Sequence, residues 1–499
     1  MNTVSAKIQP SGTNRRIEYS IVAALATAFG AYIIARAWLL PMTVDESATV
    51  INHVPRLVAD TLFFKKEANP NNHILNTLAI KTLAGIFGWH PVVVRLPVLV
   101  GGFLYLWAAI HLTRKMSEQT WVRLFALVML LGNPYLLEFF SLARGYGLAA
   151  GLMLAALWQS WCFLEKNQSG HLRSAIIFAG LAVYANFTLL LFFAPFILLV
   201  LIAAWQLNPS FSNFWKKSRP ALLTLLVFVA LLFEPLRQLR KDPEIQGWNK
   251  LGSFFGSMEQ SVKAAIQINA YLGDNTVEIL TWLAVLFSVG FTAVALWRWW
   301  QQGRRFDADP RLFLVAILPA AMITNMLQVH LTGTPYLQSR LALFYWPLFG
   351  LQLGVAAAWF WQAKGKLAWV YMAVLLSFTV LNISRCVNLT KSSEWWFDQG
   401  TYQVLDFLKK TYETEGRSEP IGLDAHHVML NSFMFHLERD PRGFDKYVKM
   451  APWHGFQPPG RDYEFFYAIN PEEAKDIMDA YDVVLPVPGT SFILLRKKR

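Results

Sequence analysis

The sequence predicts an α-helical protein that crosses a membrane many times and ends in a small mixed α/β domain. Three observations predict this. Of the 499 residues, 55% are hydrophobic and 16% charged, with 20 Trp and 37 Phe, a composition typical of polytopic membrane proteins. Apolar runs of about twenty residues, the length a helix needs to cross a core of roughly 30 Å, recur up to residue 386. Beyond that point the pattern becomes charged and Pro-containing, with short strand-like and helical stretches and no further spanning run.

The first run, 20–40, follows Arg15 and Arg16. Because Lys and Arg concentrate on the cytoplasmic side, the N-terminus is expected inside and the residues just after this run outside. The run is longer than a secretory signal core and lacks a small-x-small cleavage site, so it reads as a retained span. Ten more runs follow at 92–113, 120–140, 143–164, 174–188, 189–207, 220–237, 279–300, 311–329, 340–362 and 367–386, making eleven. The split of the long apolar stretch 174–207 at Asn186, Phe187 and Thr188 matters most. It keeps Arg114/Lys115, Lys166 to Arg173, Lys216/Lys217/Arg219, Arg298 to Arg311 and Lys364/Lys366 all on one side. The same topology explains most of the net charge of +12, so no nucleic-acid partner is expected. Cys162 and Cys386 fall towards opposite sides of the membrane and form no disulfide framework.

An odd number of spans puts the C-terminal domain outside. The expected division is a membrane module over 1–386 and an external α/β domain over 387–499. The latter should hold an amphipathic helix near 400–412, a helix from Pro471 to Tyr481, and strands at Val483 to Pro486 and Ser491 to Leu495. Two long outside loops accompany it. The loop 44–91 contains an apolar segment, Ile74 to Phe87, too short to span and suited to lie on the bilayer surface. The loop 238–278 contains Trp248 and a helical apolar pattern over Ser253 to Leu272.

Ionisable groups near a membrane are costly and are therefore candidates for function. Asp45 and Glu46 follow the first span in VDESAT; Glu138 and Arg144 flank the turn in NPYLLEFFSLARGYGL; Arg340 opens the tenth run in PYLQSRLALFYWP. All five are expected near one surface. Carboxylates and arginines beside an apolar groove suit a lipid-tailed phosphate. Arg matches phosphate oxygens in a fork, and a carboxylate can accept the proton of an attacking hydroxyl. An Asp at the end of a membrane helix can also be a solvated boundary residue, and Glu138 can simply face water or pair with Arg144 at a helix start. Arg36 reads as a snorkelling or headgroup-neutralising side chain, and Arg95, at a helix mouth, can be a topological anchor alone. His53, His73 and His90 share the first loop with Asp45 but lack ligand spacing, so no metal is assigned, with a divalent ion left open. The many Trp residues read as interfacial belts.

Together, VDES, NPNNHILNTLAIKTLAGIFGWHPVVVRLPVLVGG, SLARGYGL and, more loosely, SRLALFYWPL resemble the GT-C membrane glycosyltransferases that use polyprenyl-phosphate sugars. This group contains the protein O-mannosyltransferases and the lipid A aminoarabinose transferase. The resemblance covers roughly the first 150 residues in motif order and the remainder in layout.

It implies an inverting transfer, without an organic cofactor, from a polyprenyl-phosphate sugar to a hydroxyl of a lipid, glycan or protein. Asp45 matches the catalytic acidic position and Glu138 a second one. Arg144 and Arg340 would hold the donor phosphate, and Glu46, His73, Tyr146 and Tyr336 would add substrate contacts. His73 departs from the pattern, being followed by Ile74 and Leu75 rather than prolines. The expected location is a bacterial cytoplasmic membrane, with the C-terminal domain outside. A transporter of lipid-linked sugars and a non-catalytic glycan-binding accessory protein are the competing readings. The clustering of charges at one surface rather than at the midplane disfavours transport.

Overall fold

The computed structural model of the chain describes residues 12–65, 71–241, 252–266, 271–451, 463–472 and 474–498. Trp248 of the second loop lies outside them. The described helices are α1 (Gly12–Leu39), α2 (Val44–Ala48), α3 (Val58–Phe63), α4 (Ile74–Phe87), α5 (Pro91–Met116), α6 (Thr120–Leu131), α7 (Pro134–Phe139), α8 (Gly145–Lys166) and α9 (Ser169–Ala185). They continue with α10 (Leu190–Leu207), α11 (Phe211–Leu239), α12 (Phe254–Ile266), α13 (Asp274–Gln301), α14 (Pro310–Thr332), α15 (Tyr345–Ala363), α16 (Gly365–Cys386), α17 (Thr401–Thr414) and α18 (Leu430–Glu438).

Eight helices among the described residues are long and apolar enough to cross a membrane. They coincide with eight of the eleven expected runs. The other three runs, 120–140, 174–188 and 340–362, are helical but fall short in length or apolarity. The first is broken at Gly132, because Pro134 excludes helical geometry at the residue before it and Asn133 caps the next helix through the amide of Leu136. The split at Asn186 is present. This residue is extended, at φ −159° and ψ 121°, and its side chain accepts from the Thr188 amide between α9 and α10. Arg340 does not open a spanning helix; it sits in a 3-10 turn, Ser339–Ala342, ahead of α15. Ile74 to Phe87 is a helix as expected, as is most of the Ser253 segment.

The chain divides into two compact units. The first comprises residues up to Ile33, Leu99–Phe140 and Gly145–Val387; the second comprises Ile34–Val98, Ser141–Arg144 and Asn388–Arg499. In the first unit, α5 and α8 cross with their backbones almost touching. A Cβ placed on Gly151 would overlap the Gly101 carbonyl oxygen, and one on Gly101 would lie 2.5 Å from Leu148 Cα. Gly147 and Gly151 form the small-xxx-small spacing that permits such approach where lipid supplies no hydrophobic drive between helices. Gln352 in α15 ties three helices, accepting from Ser288 Oγ at 2.8 Å and donating to the Val315 carbonyl at 3.1 Å.

The second unit is built on a five-stranded sheet. Strands β1 (Ile421–Ala425), β2 (Val448–Met450), β3 (Phe465–Ala468), β4 (Tyr481–Pro486) and β5 (Ile493–Lys497) lie in the order β2-β1-β3-β5-β4. β1 is parallel to β2 and β3, and β5 is antiparallel to β3 and β4. Alternation along β3 serves two cores. Phe465 and Tyr467 join Val404, Leu405 and Leu408 of α17, whereas Phe466 and Ala468 join Ile477 and Tyr481. β3 is therefore apolar throughout, as a strand covered on both faces must be. The helix expected over Pro471 to Tyr481 reduces, in its described part, to a 3-10 turn, Lys475–Ile477. Ala474 and Ile477, three apart, already cover that face at 3-10 spacing, and the chain must enter β4 at Tyr481.

Replacing Gly151 with Val should cost at least the roughly 1–3 kcal/mol typical of overpacking, because its nearest neighbour is backbone. Thermal unfolding in detergent would show it as a lowered Tm. Gly290→Ala, where a Cβ meets nothing within 4 Å, should leave Tm unchanged or slightly raised.

Candidate functional site

α2 opens after a non-helical link, 40–43, at the end of α1. Thr43 starts it with a capping box: its hydroxyl accepts from the Glu46 amide while Glu46 accepts from the Thr43 amide. Two adjacent carboxylates thus stand at the head of one short helix, and the fold treats them in opposite ways.

Glu46 is fully buried. Its Oε1 accepts from Arg95 Nε at 2.8 Å and from the Ala143 amide at 2.5 Å; its Oε2 accepts from Arg95 NH2 at 2.8 Å and from the Thr43 amide at 2.9 Å. Arg95, equally buried, gives its remaining hydrogens to the carbonyls of Ala37, Leu40 and Pro41. All five guanidinium hydrogens and all four carboxylate acceptor positions are therefore engaged. Burial pushes the Glu46 carboxyl up, but the Arg95 charge and these hydrogen bonds outweigh it and hold the group below its ordinary value. Glu46, expected among the substrate contacts, has no atom open to a ligand. Arg95, expected as an anchor at the membrane face, instead holds the end of α1 against α2.

Asp45 keeps about a fifth of its side chain exposed. Arg144 NH2 lies 3.4 Å from its Oδ2, and Arg144 NH1 donates to the Asp45 carbonyl and to Thr49 Oγ1, both at 3.1 Å. NH2 also donates to Asn71 Oδ1 at 3.1 Å. The Thr49 hydroxyl closes the set by donating to the Asp45 carbonyl at 2.9 Å. Thr49 begins a π-helical turn, Thr49–His53, of the kind that recurs at functional sites. Arg144, expected at the donor phosphate, directs both terminal nitrogens at protein oxygens and is almost wholly buried. The short segment that carries it is fixed by Asn76, whose amide donates to the Ala143 carbonyl at 2.9 Å.

His73 is buried at the N-cap position of α4, where its carbonyl accepts from the Thr77 amide at 2.9 Å and its side chain makes no capping hydrogen bond. Arg36 is not a snorkelling residue. It is fully buried, donating to Ser141 Oγ at 3.2 Å, to the Asn388 carbonyl and to the Lys391 carbonyl at 3.0 Å. Its donors are matched by a turn of backbone oxygens, so it has no reason to reach for a headgroup. Asp45, Glu46, His73 and Arg144 thus fall in the second compact unit. The other four expected residues belong to the first: Glu138, buried in α7; Tyr146, buried in α8 against Phe139 at 5.0 Å; Tyr336, against Phe254 at 5.8 Å; and Arg340, partly exposed in its 3-10 turn. Among the described residues, no group of three His, Cys, Asp or Glu could hold a metal ion.

Arg95 could have been found from the sequence as the partner of Glu46, since an ionisable residue within an apolar run demands one. Asp398 and His436, which also reach the link before α2, sit in no motif and offered no such signal.

No protein-family model matches the chain, and no curated protein matches it. Solved structures do. ArnT from Cupriavidus metallidurans, bound to undecaprenyl phosphate, aligns with 95% of this chain and 97% of its own, at 12% identity and a TM-score of 0.50. The oligosaccharyltransferase of Archaeoglobus fulgidus, in complex with Zn and sulfate, aligns with 95% of this chain and 72% of its own, at 12% identity and a TM-score of 0.49. At such identity the likeness is one of fold: the chain is a multi-pass membrane protein with the GT-C fold.

Proposed function

We propose that the protein is an inverting glycosyltransferase that moves one sugar from a polyprenyl-phosphate donor to a hydroxyl of a lipid, glycan or protein acceptor outside the cytoplasmic membrane. The observation that carries this reading is the contrast at the head of α2: Glu46 is sealed and saturated, while Asp45 is left partly open with an arginine beside it. A fold shared with an undecaprenyl-phosphate-bound protein supports the donor class.

In this reading the acceptor oxygen attacks the anomeric carbon as the bond from that carbon to the phosphate oxygen breaks. The hydroxyl proton passes to the Asp45 carboxylate, and polyprenyl phosphate leaves with one more negative charge than the phosphodiester carried. Arg144 fixes the direction of the carboxylate through the carbonyl, Thr49 and Oδ2 contacts. Arg340 is assigned to the leaving phosphate, whose charge grows in the transition state. Glu138 is assigned to orienting the acceptor, and His73, Tyr146 and Tyr336 to lining the substrates. Glu46 and Arg95 supply the frame.

Asp45→Asn keeps shape but removes basicity. Transfer should fall by about 100-fold or more, read as loss of the sugar-sized mass from envelope lipids, polysaccharides or glycoproteins of host cells, while binding of undecaprenyl phosphate to the purified protein persists. Unchanged product would defeat the base assignment. Arg340→Ala should weaken undecaprenyl phosphate binding about tenfold, the order expected for losing one charge-assisted contact. Equal affinity would remove Arg340 from the phosphate.

Arg95→Met tests the frame. Stranding Glu46 unpaired should cost about 3–5 kcal/mol, visible as a fall in Tm that Asp45→Asn does not share. Glu46 titrates below its ordinary value, so its stabilisation is present above the unfolded pKa of about 4.5 and is lost as pH falls through the lower folded value.

A further inference from the structure

The link that presents Asp45 is gripped along one edge by side chains that come much later in the chain. Between α1 and α2 the backbone is non-helical, and in extended chain alternate groups face the same way. The Val44 amide donates to Asp398 Oδ2 at 2.8 Å, and the Met42 amide donates to His436 Nε2 at 3.2 Å. Tyr402 points its hydroxyl at the Leu40 carbonyl from 3.5 Å, too far to add much. The other edge belongs to Arg95 and Glu46. Beneath the link, Phe435 of α18 completes an apolar cluster with Met42, Val50, Val54, Ile80 and Val94.

Neither polar group is incidental. Asp398 is buried in a 3-10 turn, Trp396–Gly400, and its Oδ1 meets Ser432 Oγ at 2.5 Å. His436 is fully buried, with Nδ1 2.7 Å from Asp440 Oδ2. Because Nε2 accepts an amide hydrogen, the ring hydrogen must sit on Nδ1 and be donated to Asp440, which fixes one neutral tautomer. Packing alone would be met by apolar side chains, and a buried polar pair adds little net stability over them. What Asp398 and His436 do that an apolar pair could not is hold two named amides, one of them at the residue before Asp45.

We propose that Asp398 and His436 are positioning residues that fix the Val44 and Met42 amides and thereby aim the Asp45 carboxylate. This rests on reading Asp45 as the base. Asp398 faces Asp45 and Glu46 on α2, Ser432 on α18 and Tyr467 on β3, and among the described residues no Lys or Arg hydrogen-bonds or ion-pairs with it. Burial first, then the two α2 carboxylates, raise its pKa from 3.8 to about 8. It accepts from the Val44 amide on one oxygen and from the Ser432 hydroxyl on the other. The folded value lies above the ordinary one, so its contribution to stability is full below about 4 and is lost as pH rises through about 8.

The test uses the full chain in lipid nanodiscs, with amide-exchange protection of residues 42–44, undecaprenyl phosphate binding and the host envelope product as readouts. Asp398→Ala and His436→Ala should lower protection of the Val44 and Met42 amides respectively by about tenfold and reduce product, with undecaprenyl phosphate affinity unchanged. Asp398→Asn, which still accepts from Val44 and keeps a polar partner for Ser432, should restore both. Native-like protection and product in Asp398→Ala, or an Asn variant that behaves like Ala, would overturn the proposal. Should Asp398→Ala fail to insert, His436→Ala and Asp398→Asn decide, native-like Met42 protection in His436→Ala counting against it. Asp45→Asn run alongside separates the two ideas: product from that variant defeats the base assignment, while the exchange data still judge the grip on the link.

Discussion

The pairing of Arg95 with Glu46 is the constraint on which the site depends. Withdrawing two charges from water costs several kcal/mol per ion, and an incomplete set of partners would make the arrangement untenable. Here the set is complete, with five donors and four acceptor positions all matched. The partners are chosen in a telling way. Three of them are carbonyls at the end of α1, one is the amide that starts α2, and one is the amide of Ala143. A single ion pair therefore fixes where the first span ends, where α2 begins and where the segment bearing Arg144 lies.

Asp45 gains its character from that neighbour. Two adjacent acids with equal access to solvent would be interchangeable; sealing one leaves the other as the exposed carboxylate at that turn. Arg144 then restricts Asp45 without neutralising it in a tight fork, since its closest approach to the carboxylate, 3.4 Å, is longer than its contacts to the carbonyl and to Thr49. A guanidinium so placed orients the carboxylate more than it quenches it.

Much of this was legible in the chain. Apolar runs and basic loops located the helices, and VDES with SLARGYGL located Asp45 and Arg144, because those patterns are local. The break at Pro134, the 3-10 turn before α15 and the shortened helix after Pro471 depend on caps, proline sterics and strand entry, which blur a window of twenty residues. Burial was harder still. Nothing in the composition near Glu46 tells it apart from Asp45; the difference comes from Arg95, 49 residues away, and from an amide 97 residues away. Arg36 misled for the same reason, since its partners at Asn388 and Lys391 are 352 and 355 residues distant.

The compact unit that holds Asp45 is assembled from three separated stretches, the last beginning at Asn388. During synthesis the α2 turn therefore emerges early, while the carboxyl that grips its Val44 amide is made 354 residues later, after the described helices long and apolar enough to cross a membrane. Until then the turn has Arg95 and Glu46 but nothing on its other edge, and Arg36 has no carbonyls to meet from 388–391. The order of translation thus acts as a timer: the nascent chain carries its acid from the start, yet the edge formed by the distal stretch is in place only once that stretch has been made and folded.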